Sequence, residues 1–503
     1  MAKEDEKPPS SQASHDQLDS EKIGASELVQ LSEQGIKKDI GAFRIIAVGF
    51  NIPNSWLALG TAFTTAAAAG GLFISALVYG MAAVTLAELA SVYPTAGGQY
   101  HFVSVLAPKR FNKSLSYACG VIATVSFIAG AASCCSVVST SLWAFAAHYT
   151  GYVPESWHLF LMYQAANAFA TMYNLFLLKR TNWIHDAAFL FSLASFLTIS
   201  ITCLVTADKQ PSQKVWTDFE PNTGWTPFMS FVTGLPTFGY MYGCLDSALH
   251  LAEETHNAAV VVPRALMAVI ALGFTSAFIF AISMSYAITD LPSLLAEPMP
   301  IYKLWRDATK SDAAGTVFTV ILTLIMLFIV IAVIQTTSRL IWALARDNGL
   351  LFSPVFLKLE PRLGNVPANA ILLSSFFIFV CGCISLGSSA AFNAFVGSFL
   401  ILQFVSFAMP AALLVYQRRD PALLPPTRSF KVPEVVGWIC NIGTCVAAVL
   451  ELVFFTFPAQ LPVTGTSMNY ASVVLAVVAL ISVANWFLYA KKHYQGPRME
   501  FYL

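Results

Sequence analysis

Long apolar runs dominate the chain, and they constrain its fold more than any other feature. A helix needs roughly 20 apolar residues to cross a bilayer. After residue 41 twelve runs of about that length or more follow one another, at 43–66, 71–91, 114–147, 157–178, 184–206, 227–253, 264–288, 314–343, 367–387, 390–416, 434–457 and 468–490. The third and eighth exceed the bilayer thickness, so those helices are expected to tilt or extend beyond it. The runs predict an all-α polytopic membrane protein with twelve transmembrane helices. Composition agrees: 11% of residues are charged, against roughly 25% in an ordinary soluble domain. A formal net charge of zero excludes a basic nucleic-acid binder and an acidic solvated chain.

Residues 1–41 are polar, charged and Ser-rich, with no apolar signal-peptide core; they are expected to form a disordered cytoplasmic tail. The membrane domain is expected at 42–490 and a second cytoplasmic tail at 491–503. Lys and Arg set the orientation. With the N-terminus in the cytoplasm, only Lys209, Lys214, Lys303, Arg306 and Lys310 of the 28 basic residues fall outside. An even helix count with both termini inside follows. The outer loops, 207–226 and 289–313, are too short for a domain, and no loop can house a soluble enzyme. The nine cysteines all lie in apolar runs and are expected to be small core residues, not a disulfide framework.

Two runs carry helix breakers. The first reads Gly49-Phe50-Asn51-Ile52-Pro53-Asn54-Ser55-Trp56, and the sixth reads Gly234-Leu235-Pro236-Thr237-Phe238-Gly239-Tyr240-Met241-Tyr242-Gly243. Proline removes a donor and clashes with the preceding turn. Asn51, Asn54 and Ser55 offer hydrogen bonds to backbone groups so freed. Backbone freed at membrane depth is tolerated only where protein or a water-filled cavity satisfies it. Simple kinking is one reading. The breaks, however, fall at equivalent positions if helices 1–5 (43–206) and 6–10 (227–416) are two repeats, the second inverted, with helices 11 and 12 at 434–490. Paired broken helices point to a transporter site. Half-helix amide ends favour a carboxylate, and the carbonyl ends favour a cation. Trp56, Phe238, Tyr240 and Tyr242 could face an ammonium group or pack as ordinary helix residues.

Charge within the runs is sparse. Asp246, His250 and Glu253 are spaced i, i+4, i+7 and are expected on one helix face. Intramembrane ionisable groups usually face a pathway, and histidine suits reversible protonation. A proton-coupling or gating role is the favoured reading; a solvated helix end suits Glu254 and His256 better. A divalent metal is disfavoured, because nothing supplies a complete ligand set. Glu88, ahead of Tyr93-Pro94-Thr95-Ala96-Gly97-Gly98, could pair with a cytoplasmic cation as an inner gate or cap its helix. Thr337 and Ser338 could complete a sodium site or bond back to their own helix. Glu451 has no assigned role.

GFNIPNSW (49–56), AELASVYPTAGGQYHF (87–102), GCLDSALHLAEETHNAAVVVPRA (243–265), SRLIWALARDNGL (338–350), MNYASVV (468–474) and the HYQGP tail resemble the amino acid–polyamine–organocation superfamily. Within it they are similar to the fungal amino acid/choline branch, which includes GABA and choline permeases. The resemblance implies a LeuT-like fold of two inverted five-helix repeats plus two helices, working by alternating access with no cofactor. It places substrate at Asn51, Pro53, Asn54, Ser55 and Trp56 and at Tyr242, Gly243 and Asp246, with Cys244 between the last two. Bacterial relatives often carry a Gly-Ser-Gly turn where Asn54-Ser55-Trp56 stands. The Trp leaves room for ω-amino acids, choline-like amines or another nitrogenous metabolite. The expected partners are a small amine or amino acid, the lipid bilayer and a coupling ion, protons favoured over sodium. The plasma membrane is the first expectation and the vacuolar membrane the alternative. A non-transporting nutrient sensor or a metabolite exporter on the same scaffold are the other readings; an enzyme is not expected.

Overall fold

The computed structural model describes residues 40–61, 68–181, 183–216, 223–465 and 467–497. Apart from Ile40 and Gly41, the expected N-terminal tail lies outside the described residues. The principal helices are α1 (Ala42–Asn51), α2 (Ser55–Thr61), α3 (Ala68–Val92), α4 (Gln99–Leu106), α5 (Asn112–Thr150), α6 (Ser156–Met172), α7 (Ile184–Thr206), α8 (Pro227–Gly239), α9 (Ala258–Ala287), α10 (Asp312–Arg346), α11 (Ala368–Gly387), α12 (Ser389–Tyr416), α13 (Glu434–Phe454) and α14 (Ala471–Asn485). Among the described residues nine helices are long and apolar enough to cross a membrane. Three of the twelve apolar runs account for the rest. The fourth is α6, closed by a π turn at Tyr173–Leu177, and the first and sixth are divided.

Local chemistry sets several boundaries. The hydroxyls of Thr226, Ser311 and Ser388 accept from the amides of Met229, Ala314 and Ala391, capping α8, α10 and α12. Such caps satisfy amide groups that a helix start leaves open. Gly151, with φ of 68°, ends α5.

The first division falls where the sequence places it. Asn54 has φ of 36°. Its amide donates to the Phe50 carbonyl at 2.9 Å, and the amides of Leu57 and Ala58 return to the Asn54 carbonyl at 2.8 and 3.0 Å. Asn tolerates left-handed backbone better than most residues.

The second division falls at the end of the expected segment, at its glycine and not at its proline. Pro236 sits inside α8, which continues to Gly239. The chain passes through a 3-10 turn at Tyr240–Tyr242, breaks at Gly243 and Cys244, and resumes as a 3-10 helix over Leu245–Glu254. Cys244 takes φ of 58°. Proline removes one donor, and a membrane helix absorbs that locally. The sharper cause is crowding at Gly243, where any β-carbon would lie 2.9 Å from the Phe399 ring.

α5 packs along α10 and α12, α9 along α3, and α1 against α7 and α9. α13 covers α3 and α12. The described ends of both termini lie on one face. Ile40 pairs in parallel with Thr255. Beside that bridge Glu253 binds Arg346, and the neighbouring Asp347 accepts from the Gln495 amide. We call this the terminal face.

Candidate functional site

The two divisions meet around a cavity of about 190 Å³. From the first come Ile52, Pro53 and Ala58; from the second, Tyr240, Gly243 and Cys244. α5 contributes Gly130, Ser133, Cys134 and Val137, α10 contributes Met326, Ile329 and Val333, and α12 contributes Phe399. No side chain in that lining carries a formal charge. Tyr240 and Phe399 stand with ring centroids 6.1 Å apart, tilted by 35°. The volume is below the roughly 300–1,000 Å³ typical of drug-sized sites, so the space suits a small metabolite.

Of the residues expected to bind substrate, Pro53, Tyr240 and Gly243 line this cavity. The others serve the frame around it. Asn51 donates to the His185 carbonyl of α7 at 2.7 Å, and Asn54 donates to the Ser192 hydroxyl at 2.9 Å. Ser55 donates to the Met241 carbonyl at 2.6 Å, fastening the first break to the second. Trp56 is fully buried. Its indole donates to Ser192 at 3.0 Å and packs against Phe196 and Phe280, so it does not line the cavity. Phe238 approaches Gly71 of α3 so closely that a β-carbon there would meet its ring. Tyr242 stacks on Tyr79 at 5.3 Å. The α5 and α10 walls were missed because they carry no helix-breaking signal.

Beyond the break lies the buried carboxylate of Asp246. Gln99 and Gln403 donate to it, the latter at 3.3 Å. His250 Nε2 lies 3.1 Å from its other contact point, Oδ2, while Nδ1 lies 2.8 Å from the Ala96 carbonyl. A carbonyl only accepts, so Nδ1 carries a proton. The Nε2–Asp246 contact then shares one further proton, and the pair is neutral overall wherever that proton sits. Gly98, with φ of 55°, brings the 94–98 turn against this ring; a β-carbon there would lie 3.1 Å from His250.

Glu253 does not join the pair. The 3-10 winding turns it away from Asp246 and His250. It accepts from Arg346 at 3.0 and 3.2 Å and from the Ala96 amide at 3.1 Å. Glu254, expected in solvent, is buried, with Arg339 at 2.6 Å and Lys179 at 3.5 Å. His256 is exposed, as expected. Glu88 is fully buried between Arg419 and Arg428, at 2.8 and 2.7 Å. Thr337 and Ser338 donate to carbonyls of their own helix, at 2.7 and 2.6 Å. Sequence reading passed over His185, which bridges α7 to Gln335 of α10 at 2.8 Å. Ion pairs thus join helices and loops on the terminal face.

A helical membrane protein with paired broken helices around a buried cavity belongs to the transporter class. The amino acid permease family matches residues 40–480, and the chain belongs to it. The choline transporter of Saccharomyces cerevisiae is 31% identical over 92% of this chain and 84% of its own length. A swainsonine transporter of Arthroderma benhamiae is 29% identical over 94% of each. The crystal structure of an Eremococcus coleocola manganese transporter mutant superposes with a TM-score of 0.54 over 89% of this chain and 93% of that one. At 13% identity it shows the shared, LeuT-like fold alone. The chain is an integral multi-pass membrane protein of the transporter class.

Proposed function

We propose that the chain is a secondary active permease for a small amine or amino acid, proton-coupled and working by alternating access. The observation that carries this is the cavity enclosed by both helix breaks. Its substrate is GABA-, choline- or amino-acid-like in size. The lining narrows the class further. A primary ammonium brings three donors that need acceptors, and an apolar wall with one serine offers few. An alkylated ammonium needs none and is held by aromatic faces, here Tyr240 and Phe399. The choline transporter among the relatives supports that preference.

In this reading the repeats, 43–206 and 227–416, rock about the breaks. The terminal face lies in the cytoplasm, of the plasma membrane in the first instance. Glu88, Glu253 and their arginines close that side. Asp246 and His250 bind the coupling proton, at the point where the 94–98 turn packs on the Leu245–Glu254 segment.

The test is uptake of labelled choline, GABA, proline, lysine and polyamines in permease-deficient yeast, at pH 5 and 7.5. Uptake of at least one amine, faster at pH 5, is expected. Uptake of none, with surface expression verified, overturns the importer reading.

A further inference from the structure

Glu451 is a carboxyl inside an apolar run that the proposed cycle leaves unused and that, unlike Asp186 and Glu434, has no basic partner among the described residues. It lies on the inward stripe of α13 that also carries Gly437, Cys440, Asn441, Thr444, Ala447 and Ala448. Its amide-side neighbours point it at protein, not lipid: the residue is 6% exposed, while Leu450 and Leu452 are 50% and 44% exposed. Its Oε2 is buried and has no hydrogen-bond partner among the described residues. An unpaired carboxylate in such surroundings is costly, and one added proton removes the cost.

The surroundings contain a second irregularity. Tyr79 is buried on α3, the helix that α13 packs against. Its hydroxyl, like that of Tyr242, is buried without a partner. Tyr79 stacks on Tyr242 at 5.3 Å with an interplanar angle of 27°. Its hydroxyl also abuts Gly239, where a β-carbon would lie 3.1 Å from it. Three buried polar groups without partners therefore run from α13 to the residue before Gly243. Native proteins satisfy nearly all such groups, so each exception asks for a role.

We propose that Glu451 is a proton-binding site that acts on the second helix break through Tyr79 and Tyr242. The ligand is a proton alone: the carboxylate gains it and becomes a neutral carboxylic acid, with no other bond changed. The ionised carboxylate draws the Tyr79 hydroxyl toward itself. The protonated acid releases it to the Tyr242 and Gly239 side. Proton occupancy thus sets the packing of the turn that precedes Gly243.

Among the described residues of the helices packed here, no other carboxylate is unpaired. α3 presents Tyr79 here, and its one carboxylate, Glu88, is held by Arg419 and Arg428 on the terminal face. α12 carries no ionisable side chain before Tyr416. On α13 itself the ionisable groups are Cys440, Cys445 and Glu434, all nearer the opposite end. Glu451 lies one turn from the helix end at Phe454, the outer end in the proposed orientation, and so faces the side from which an importer takes protons.

The proposal needs the transporter reading only for its uptake arm. Infrared difference spectra of the purified full-length protein read the site directly. A protonated-carboxyl stretch that titrates with pH in the wild type and is missing in Glu451→Gln is expected. A stretch that does not titrate, or one unchanged in Glu451→Gln, overturns the proposal. Tyr79→Phe keeps the ring stack and removes the hydroxyl; the stretch persists there. In uptake, the protonated fraction of one acid falls about tenfold per pH unit above its pKa. Glu451→Gln, which mimics the acid, flattens the part of that dependence on external pH that Glu451 sets and leaves the part set by Asp246 and His250, while uptake at pH 5 stays within about twofold of wild type. Tyr79→Phe weakens the dependence. External-pH profiles identical to wild type in both variants overturn the link to the break. A wild type that carries no amine but shows the titrating stretch fails the permease reading alone.

Discussion

Asp246 shows what a single carboxylate has been given to do. Gln99, Gln403 and His250 converge on it from α4, α12 and its own helix. Asp246→Asn keeps one accepting oxygen but removes the charge and puts an amide donor in place of the second oxygen, and His250→Ala removes the imidazole that shares the proton. We expect both variants to reach the surface and to lose the pH 5 to 7.5 difference in uptake; a retained difference in both refutes the coupling role. Glu88 is a separate case. Truncating one partner of a buried ion pair costs about 3–5 kcal/mol. Glu88→Ala leaves Arg428 with carbonyls alone and Arg419 with Glu434, so a loss near the lower end is expected in the thermal melting of the purified protein. A fully buried Trp56 predicts a stability effect of about 3–5 kcal/mol for Trp56→Ala, seen as lost expression before any change in substrate preference. Sequence alone exposed the rarity of these groups. It could not show their partners, which lie 147 and 157 positions away in the case of Asp246.

At the level of helices, the first break was legible because its breaker residues lie where the helix divides. The second was read over 234–243, and the division falls at the end of that segment. Pro236 is the louder signal, yet α8 absorbs it, and the division comes at Gly243 and Cys244, where Phe399 leaves no room for a side chain. The constraint is tertiary, from a helix more than 150 residues downstream, and so leaves no local trace. Gly243→Ala sets a methyl 2.9 Å from that ring. We expect it to abolish uptake while the protein still reaches the membrane, and wild-type uptake in this variant refutes a tight turn here. The 3-10 winding after the break also could not be read from an i, i+4, i+7 pattern. It separates Glu253 from His250 and turns one expected face into two jobs, a proton pair and an ion pair with Arg346.

For the whole molecule, the apolar runs gave helix positions to within a few residues, because bilayer thickness leaves little freedom in length. What stayed hidden was how the termini engage. Tyr494, in a segment expected to be a simple tail, is buried against Tyr117 and shares a hydrogen bond with the Ser116 hydroxyl at 2.8 Å. The following amide, of Gln495, donates to Asp347. Tyr494→Ala is expected to lower melting in proportion to about 3 kcal/mol. Equal melting of Tyr494→Ala and wild type refutes the docking.

The cavity wall carries two thiols on different supports, Cys134 on α5 and Cys244 at the break. A cargo that fills the space must shield both from a small alkylating reagent, and a cycle that opens the space to one side of the membrane at a time must expose them to a membrane-impermeant reagent from that side only. The protein therefore comes with its own occupancy gauge: labelling rates at two thiols, compared with and without each candidate amine, rank ligands even where transport is too slow to count.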